Sequence, residues 1–129
     1  VQTMDTNDAI DRGHLSRMTF GDRSLEHEVL QLFDRQSELL LTRMRGGDGA
    51  TVGALAHTLK GSATGIGAGH VARAAQAVEQ VNELATSGLA AGSASDVSAA
   101  IDRLAQAVEE ARTLIAVLLC DQRLAQPGE

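Results

Sequence analysis

Apolar residues recur along this chain at intervals of three and four, the spacing that gathers side chains on one face of an α-helix and does not alternate them as a strand would. Between residues 24 and 45 they fall at Leu25, Val29, Leu32, Phe33, Leu39 and Leu40, with Gln36 interrupting the stripe. Ser24 can cap the start of that helix, and Gly46 and Gly47 stop it. From Thr51 to about Ile66 the same arithmetic puts Val52, Leu55, Leu59, Ser62 or Ala63, and Ile66 on one face; Gly67 then ends the helix and Gly69 begins the next turn. A third stripe, Val71, Ala74, Ala75, Val78, Val81 and Ala85, ends in the small polar loop from Thr86 to Ser95, where Ser93 and Asp96 resemble a capping box. The last helix is the clearest, with Val97, Ile101, Leu104, Val108, Ala111, Ile115 and Leu118 in phase. A shorter helix is expected around Asp11 to Thr19, before the turn Phe20-Gly21-Asp22.

The helix over 24–45 and the last one are each long enough to span about 36 Å at the ~1.5 Å rise of an α-helix. Matched amphipathic helices joined by short loops bury their apolar stripes against one another. The expected fold is therefore all-α: an antiparallel, up-down four-helix bundle with a short additional N-terminal helix. The chain has 129 residues, which fits one domain, and we place it at 5–121 with flexible ends at 1–4 and 122–129. Val1 opens the sequence, and Met4 is a candidate natural initiator.

Composition narrows the function classes. Only 2% of residues are aromatic, with no Trp or Tyr, so the core must be built from Leu, Val, Ile and many alanines, which lets helices approach closely. Eleven Lys and Arg against seventeen Asp and Glu, a net charge of −6, argue against nucleic-acid binding, which needs a basic surface. The lone Cys120 cannot form an internal disulfide, which fits a reducing, cytoplasmic setting; lying in the apolar run from Leu114 to Cys120, it is expected to be a small core residue. That run is far shorter than the ~20 residues of a bilayer crossing, and the start of the chain shows no signal-peptide pattern, so no membrane partner is expected.

The stretch AHTLKGSATGIGA, residues 56–68, carries the candidate chemistry. His57, Lys60, Gly61 and Thr64 stand three or four residues apart, on an edge turned away from Leu55, Leu59 and Ile66. An imidazole is largely neutral at pH 7, and an adjacent ammonium disfavours imidazolium further. The pattern is a solvent-facing nitrogen nucleophile beside a fixed positive charge, suited to accepting a phosphoryl group whose equatorial oxygens stay negative through transfer, with Lys60 stabilising that charge. Gly61 in a helix interior costs about 1 kcal/mol relative to alanine, and it clears space for another protein's backbone beside the imidazole. A nucleophile on a convex helix suits a partner that brings the concave pocket. His14, His27 and His70 read as structural, and Ser62 as a close-packing residue with no base placed for it. A metal site at His57 and Glu79 would rest on two ligands alone, so no metal is assigned.

The run His57-Thr58-Leu59-Lys60-Gly61-Ser62-Ala63, followed by Gly67-Ala68, resembles the signature of histidine-containing phosphotransfer (HPt) domains of two-component phosphorelays. Upstream, Thr19-Phe20-Gly21-Asp22-Arg23 with Leu25, Val29, Leu32 and Phe33 is similar to the family's entry to its second helix, and the likeness covers roughly residues 11 to 85. It implies phosphorylation of His57 at Nε2 and exchange with an aspartate of a receiver domain. Glu79 matches the family position whose side chain hydrogen-bonds the imidazole Nδ1, and a carboxylate there would fix the tautomer that leaves Nε2 bare. The resemblance further implies a phosphoryl carrier and not an enzyme. It would need no cofactor of its own, because the catalytic groups and Mg²⁺ would lie on the partner. Its partners would be a response regulator receiver and a hybrid histidine kinase, met as a monomer, with Gly61 and Thr64 on the docking face. The competing reading is a helical adaptor that docks receivers without transferring phosphate. A kinase's own dimerisation and phosphoacceptor unit would call for a nucleotide-binding domain, and the sequence holds no Gly-rich nucleotide box.

Overall fold

The computed structural model describes residues 9–88 and 94–124, with side chains as far as 120. Five helices account for nearly all of it: α1 (Arg12–Met18), α2 (Arg23–Gly46), α3 (Gly49–Ile66), α4 (Gly69–Thr86) and α5 (Ala94–Leu124), and no strand occurs among the described residues. The protein is an all-α helical bundle. The expected ends at 1–4 and 125–129, and Ser93 of the suggested capping box, lie outside the described residues; α5 runs through residues 122–124.

Aspartates start the first three helices. Asp11 accepts from the His14 amide, Asp22 from the amides of Ser24 and Leu25, and Asp48 from that of Thr51. Ser24 is therefore not the cap of α2 but its second residue. An anionic acceptor placed earlier satisfies two orphan donors at once and faces the positive end of the helix. Asp48 likewise caps α3, which begins at Gly49, two residues before the expected Thr51. Hydrogen bonds from Thr51 hold its carboxyl below the ordinary carboxylate range. α3 ends as expected at Gly67, in the left-handed conformation (φ 83°), where the Ala68 amide returns to the Ala63 carbonyl at 2.8 Å. A Cβ on Gly67 would also stand 3.0 Å from the Asp11 carbonyl oxygen, because the chain entering α1 crosses there and donates the Asp11 amide to Gly67 O at 2.8 Å.

The long helices pack α2 on α3, α3 on α4, α4 on α5 and α5 back on α2, with α1 lying against α3. Cross-helix partners show the directions. Asn82 and His57 meet Gly49 and Glu79, and Arg45 and Arg112 meet Asp102 and Asp34, so that in each pair one number rises as the other falls. α3 with α4, and α2 with α5, are thus antiparallel. Arg112 binds Asp34 at 2.6 Å and Glu38 at 3.4 Å, and the Asp34 carboxylate pushes the guanidinium pKa up. α1 is tied down by buried Leu15 and by His14, whose Nε2–H donates to the Gly65 carbonyl at 3.1 Å, the structural role expected for that histidine.

The stripes of α4 and α5 are buried much as the spacing predicts, with Val71, Ala75 and Val78 on one and Ile101, Leu104, Val108, Ala111, Ile115 and Leu118 on the other. In α3, Ala56 takes the central position and Leu55 is only partly covered. The small side chain brings α3 against α4 so closely that a Cβ on Gly53 would sit 3.1 Å from Asn82 Nδ2. α2 departs further. Its buried face is Leu30, Phe33, Ser37, Leu40 and Met44, while Leu25, Leu32 and Leu39 are exposed. The helix carries two overlapping apolar stripes and the bundle covers one; Ser37 is accommodated because its hydroxyl donates to the Asp34 carbonyl. Cys120 is exposed and not a core residue. A helix packed on one side buries Ile115 and Leu118 and leaves Val117 and Cys120 outside, however apolar the run.

Asn82 is a buried polar residue that the apolar pattern does not reveal. Its amide donates to the Gly49 carbonyl at 2.8 Å, satisfying an acceptor where α3 begins. Every fully buried side-chain polar atom among the described residues has a partner.

Candidate functional site

His57 follows Ala56, the buried centre of α3, and one residue along a helix is a turn of about 100°. That rotation carries its side chain out of the core to the flank facing α4, where it is 71% exposed. Nδ1 lies 2.9 Å from Glu79 Oε2 on α4. An ionised carboxylate only accepts, so Nδ1 holds the proton and donates it. In the neutral ring this arrangement leaves the lone pair on Nε2.

The other oxygen of Glu79 is engaged as well. Lys60, one turn beyond His57, places Nζ 3.1 Å from Oε1, so a single carboxylate bridges the imidazole and the ammonium. Partial burial by itself would push the Glu79 carboxyl up. The hydrogen bonds from Lys60 and His57, with the Lys60 charge, outweigh it and hold the carboxyl below the ordinary range. Glu79 is thus a carboxylate at neutral pH, and the structure brings His57, Lys60 and Glu79 together.

Around this cluster the outer face of α3 is made of small residues. Ala50, Ala54 and Gly61 are exposed and Gly65 is half-exposed. A Cβ added at Gly61 or Gly65 would meet nothing within 4 Å, unlike one at Gly53 or Gly67. Internal packing therefore does not require glycine at 61 or 65. Gly65 extends the bare surface by a turn; its signal in the sequence was its four-residue step from Gly61. Thr64 is on the exposed side, with its hydroxyl donated back to the Lys60 carbonyl at 2.8 Å.

The exposed leucines of α2 adjoin this face. Asp34, Glu38 and Arg45 point to α5, and residues 25, 32 and 39 stand on the other flank, toward α3. Leu32 and Leu39 are 60% and 55% exposed, and Met18 at the end of α1 and Phe20 just beyond it are exposed as well. Phe20 is 89% exposed and holds a left-handed backbone (φ 56°), the one non-glycine residue to do so among those described. Apolar spacing alone places Leu25, Leu32 and Leu39 in the core, and the bundle leaves them exposed. The sevenfold interval between them, beside a second stripe at 30, 33, 37, 40 and 44, was the available signal for a separate surface.

The sequence profile of the Hpt domain matches residues 24–114, well over half of the chain. The chain belongs to the Hpt domain family. The match takes in α2, α3, α4 and most of α5, including His57, Lys60 and Glu79, and starts after α1. Comparison with characterised proteins and with solved structures returns no match. Hpt domains belong to two-component phosphorelays, which agrees with the family resemblance carried by the His57 run. In this Hpt domain no group of three or more His, Cys, Asp or Glu side chains is arranged to hold a metal ion among the described residues. None of its described helices is long and apolar enough to cross a membrane.

Proposed function

We propose that the protein is a phosphoryl carrier: it accepts a phosphoryl group on Nε2 of His57 from the aspartyl phosphate of a receiver domain, including that of a hybrid histidine kinase, and relays it to a second response regulator receiver. The observation that carries this reading is the His57–Glu79 hydrogen bond at 2.9 Å on an otherwise exposed ring. It leaves a nucleophilic lone pair on a convex surface, where a receiver's own pocket can close over it.

In the transfer, the Nε2 lone pair bonds to phosphorus while the bond from phosphorus to the aspartyl oxygen breaks, returning the receiver's carboxylate. The Nδ1 proton stays on the ring, donated to Glu79, so that onward transfer expels a neutral imidazole. Lys60 is close enough, one turn away, to meet the negative phosphoryl oxygens. The catalytic groups and Mg²⁺ belong to the receiver. Gly61, Thr64 and Gly65 let its backbone approach the ring, and Leu25, Leu32 and Leu39 with Phe20 offer an apolar border of the kind interfaces bury. An adaptor that only docks receivers would make no use of a tautomer fixed with Nε2 bare.

Incubation with a receiver carrying labelled aspartyl phosphate tests the reading. The expected result is acid-labile, base-stable label on the protein, lost in His57→Gln with the helical circular dichroism unchanged. Full labelling of that variant would overturn it.

A further inference from the structure

The chain has two aromatic side chains and treats them oppositely: Phe33 is 2% exposed in the core, and Phe20 is 89% exposed. A single apolar side chain on a surface is ordinary. The backbone beneath this one is not. Phe20 holds φ 56°, the left-handed region where Cβ crowds the following carbonyl oxygen. The turn explains the conformation. The Gly21 amide returns to the Ser16 carbonyl at 2.9 Å and the Phe20 amide to the Arg17 carbonyl at 3.3 Å, the paired bonds of a Schellman end to α1. The same pair closes α3, from Ala68 to Ala63 and from Gly67 to Thr64, and there the left-handed place is filled by glycine. At residue 20 glycine would serve the fold better, and the exposed ring returns nothing in packing.

The ring also stands on a fixed support. Thr19 is buried and its hydroxyl donates to the Leu15 carbonyl at 2.9 Å. The Asp22 amide donates to the Thr19 carbonyl at 2.9 Å, and the Asp22 carboxylate caps α2. With the backbone held on both sides, docking the ring orders only its two side-chain torsions, a low entropic cost. α1 is fastened in turn to the helix that carries His57, by His14 to the Gly65 carbonyl at 3.1 Å and by the Asp11 amide to the Gly67 carbonyl at 2.8 Å. Phe20 follows His14 by about 9 Å of helical rise, so it is tied to the end of the bare glycine face of α3.

We propose that Phe20 is a docking anchor: its ring enters an apolar hollow on the receiver that exchanges phosphate with His57, and it thereby decides which receivers seat well. This rests on the phosphoryl-carrier reading and adds to it a residue that selects the partner. The family match begins at residue 24, so membership assigns Phe20 no task. An aromatic side chain held on a rigid turn is the kind of residue that dominates interface energetics.

The test follows transfer from receiver domains carrying labelled aspartyl phosphate, over a range of receiver concentrations, to the unsubstituted full chain, Phe20→Gly, Phe20→Asn and Phe20→Tyr. Glycine and asparagine accept the left-handed backbone and lack the ring. Both variants are expected to match or exceed the thermal midpoint of the unsubstituted chain. The receiver concentration that gives half the maximal rate should rise about tenfold in both, with the rate at saturating receiver unchanged because Phe20 does not touch the reacting atoms. Phe20→Tyr keeps the ring and should transfer as the unsubstituted chain does. Unchanged half-saturation in Phe20→Gly would overturn the proposal, as would a midpoint that falls in both ringless variants, which would mean that the ring packs within the chain. A concentration-dependent mass in sedimentation that Phe20→Gly abolishes would overturn it too, making a second copy of the chain the occupant. Failure of the phosphoryl-carrier reading looks different, an unsubstituted chain that takes no label from any receiver, and it removes this proposal as well.

Discussion

Gly61 and Gly67 lie six residues apart in the chain and represent opposite uses of the same residue type. Gly67 serves the fold: its backbone is left-handed, and the Asp11 carbonyl approaches where a Cβ would stand. Gly61 is helical with open space around it, so the fold loses stability by having it. Gly61→Ala is accordingly expected to stabilise the bundle by about 1 kcal/mol, seen as a rise in thermal midpoint of a few degrees, and to slow transfer from a receiver. A drop in midpoint would assign the glycine a packing role. A bulkier Gly61→Gln should slow transfer further while preserving helicity. At this scale the sequence was informative about His57, Lys60 and Gly61, because all three belong to one helix and helical spacing fixes their common edge. Glu79 is different. Its approach to His57 depends on the register of α4 against α3, which is set by close contacts such as Gly53 against Asn82 and not by any local pattern.

α2 shows why apolar spacing alone does not identify a buried face. Leu25, Val29, Leu32 and Leu39 form a stripe as regular as Leu30, Phe33, Leu40 and Met44, and Ser37 even places a polar residue in the second. The bundle selects the second because that face lies between α3 and α5, with Asp34 and Glu38 beside it to receive Arg112. The two stripes should respond oppositely to truncation. Leu30→Ala removes a fully buried side chain and is expected to cost about 2–5 kcal/mol, measured by denaturant unfolding. Leu32→Ser/Leu39→Ser should change stability by no more than about 0.5 kcal/mol per site and should weaken receiver binding and slow transfer. Unaltered transfer kinetics in the double variant would remove this stripe from the docking surface. A comparable lesson holds for α5, where Cys120 closes an apolar run yet faces outward, since one-sided packing admits only the residues in phase with Ile115 and Leu118.

Across the whole molecule, carboxylates with native partners couple the fold to pH. Glu79 and Asp48 are held below their ordinary values of 4.5 and 3.8, by Lys60 and His57 in the first case and by Thr51 in the second. A depressed native pKa adds stability that is complete above the ordinary value and is lost as pH falls through the native one. The thermal midpoint is therefore expected to hold near neutrality and to decline once pH drops below about 4.5. Glu79→Gln should show a smaller decline in that window; an identical acid limb in both proteins would mean that the Glu79 bridge contributes nothing to folding. By itself, the sequence determined the helical class, the approximate extents of the helices and the edge that carries His57, Lys60 and Gly61, because each depends on residues within a few turns of one another. It also carried enough of the Hpt pattern for the family to be recognised. The tertiary structure decided which stripe of α2 is buried, where Cys120 points, that Asn82 reaches the start of α3, and that one carboxylate on α4 holds both His57 and Lys60. Those outcomes depend on which helix lies beside which and at what register, and that is settled by packing between segments distant in the chain.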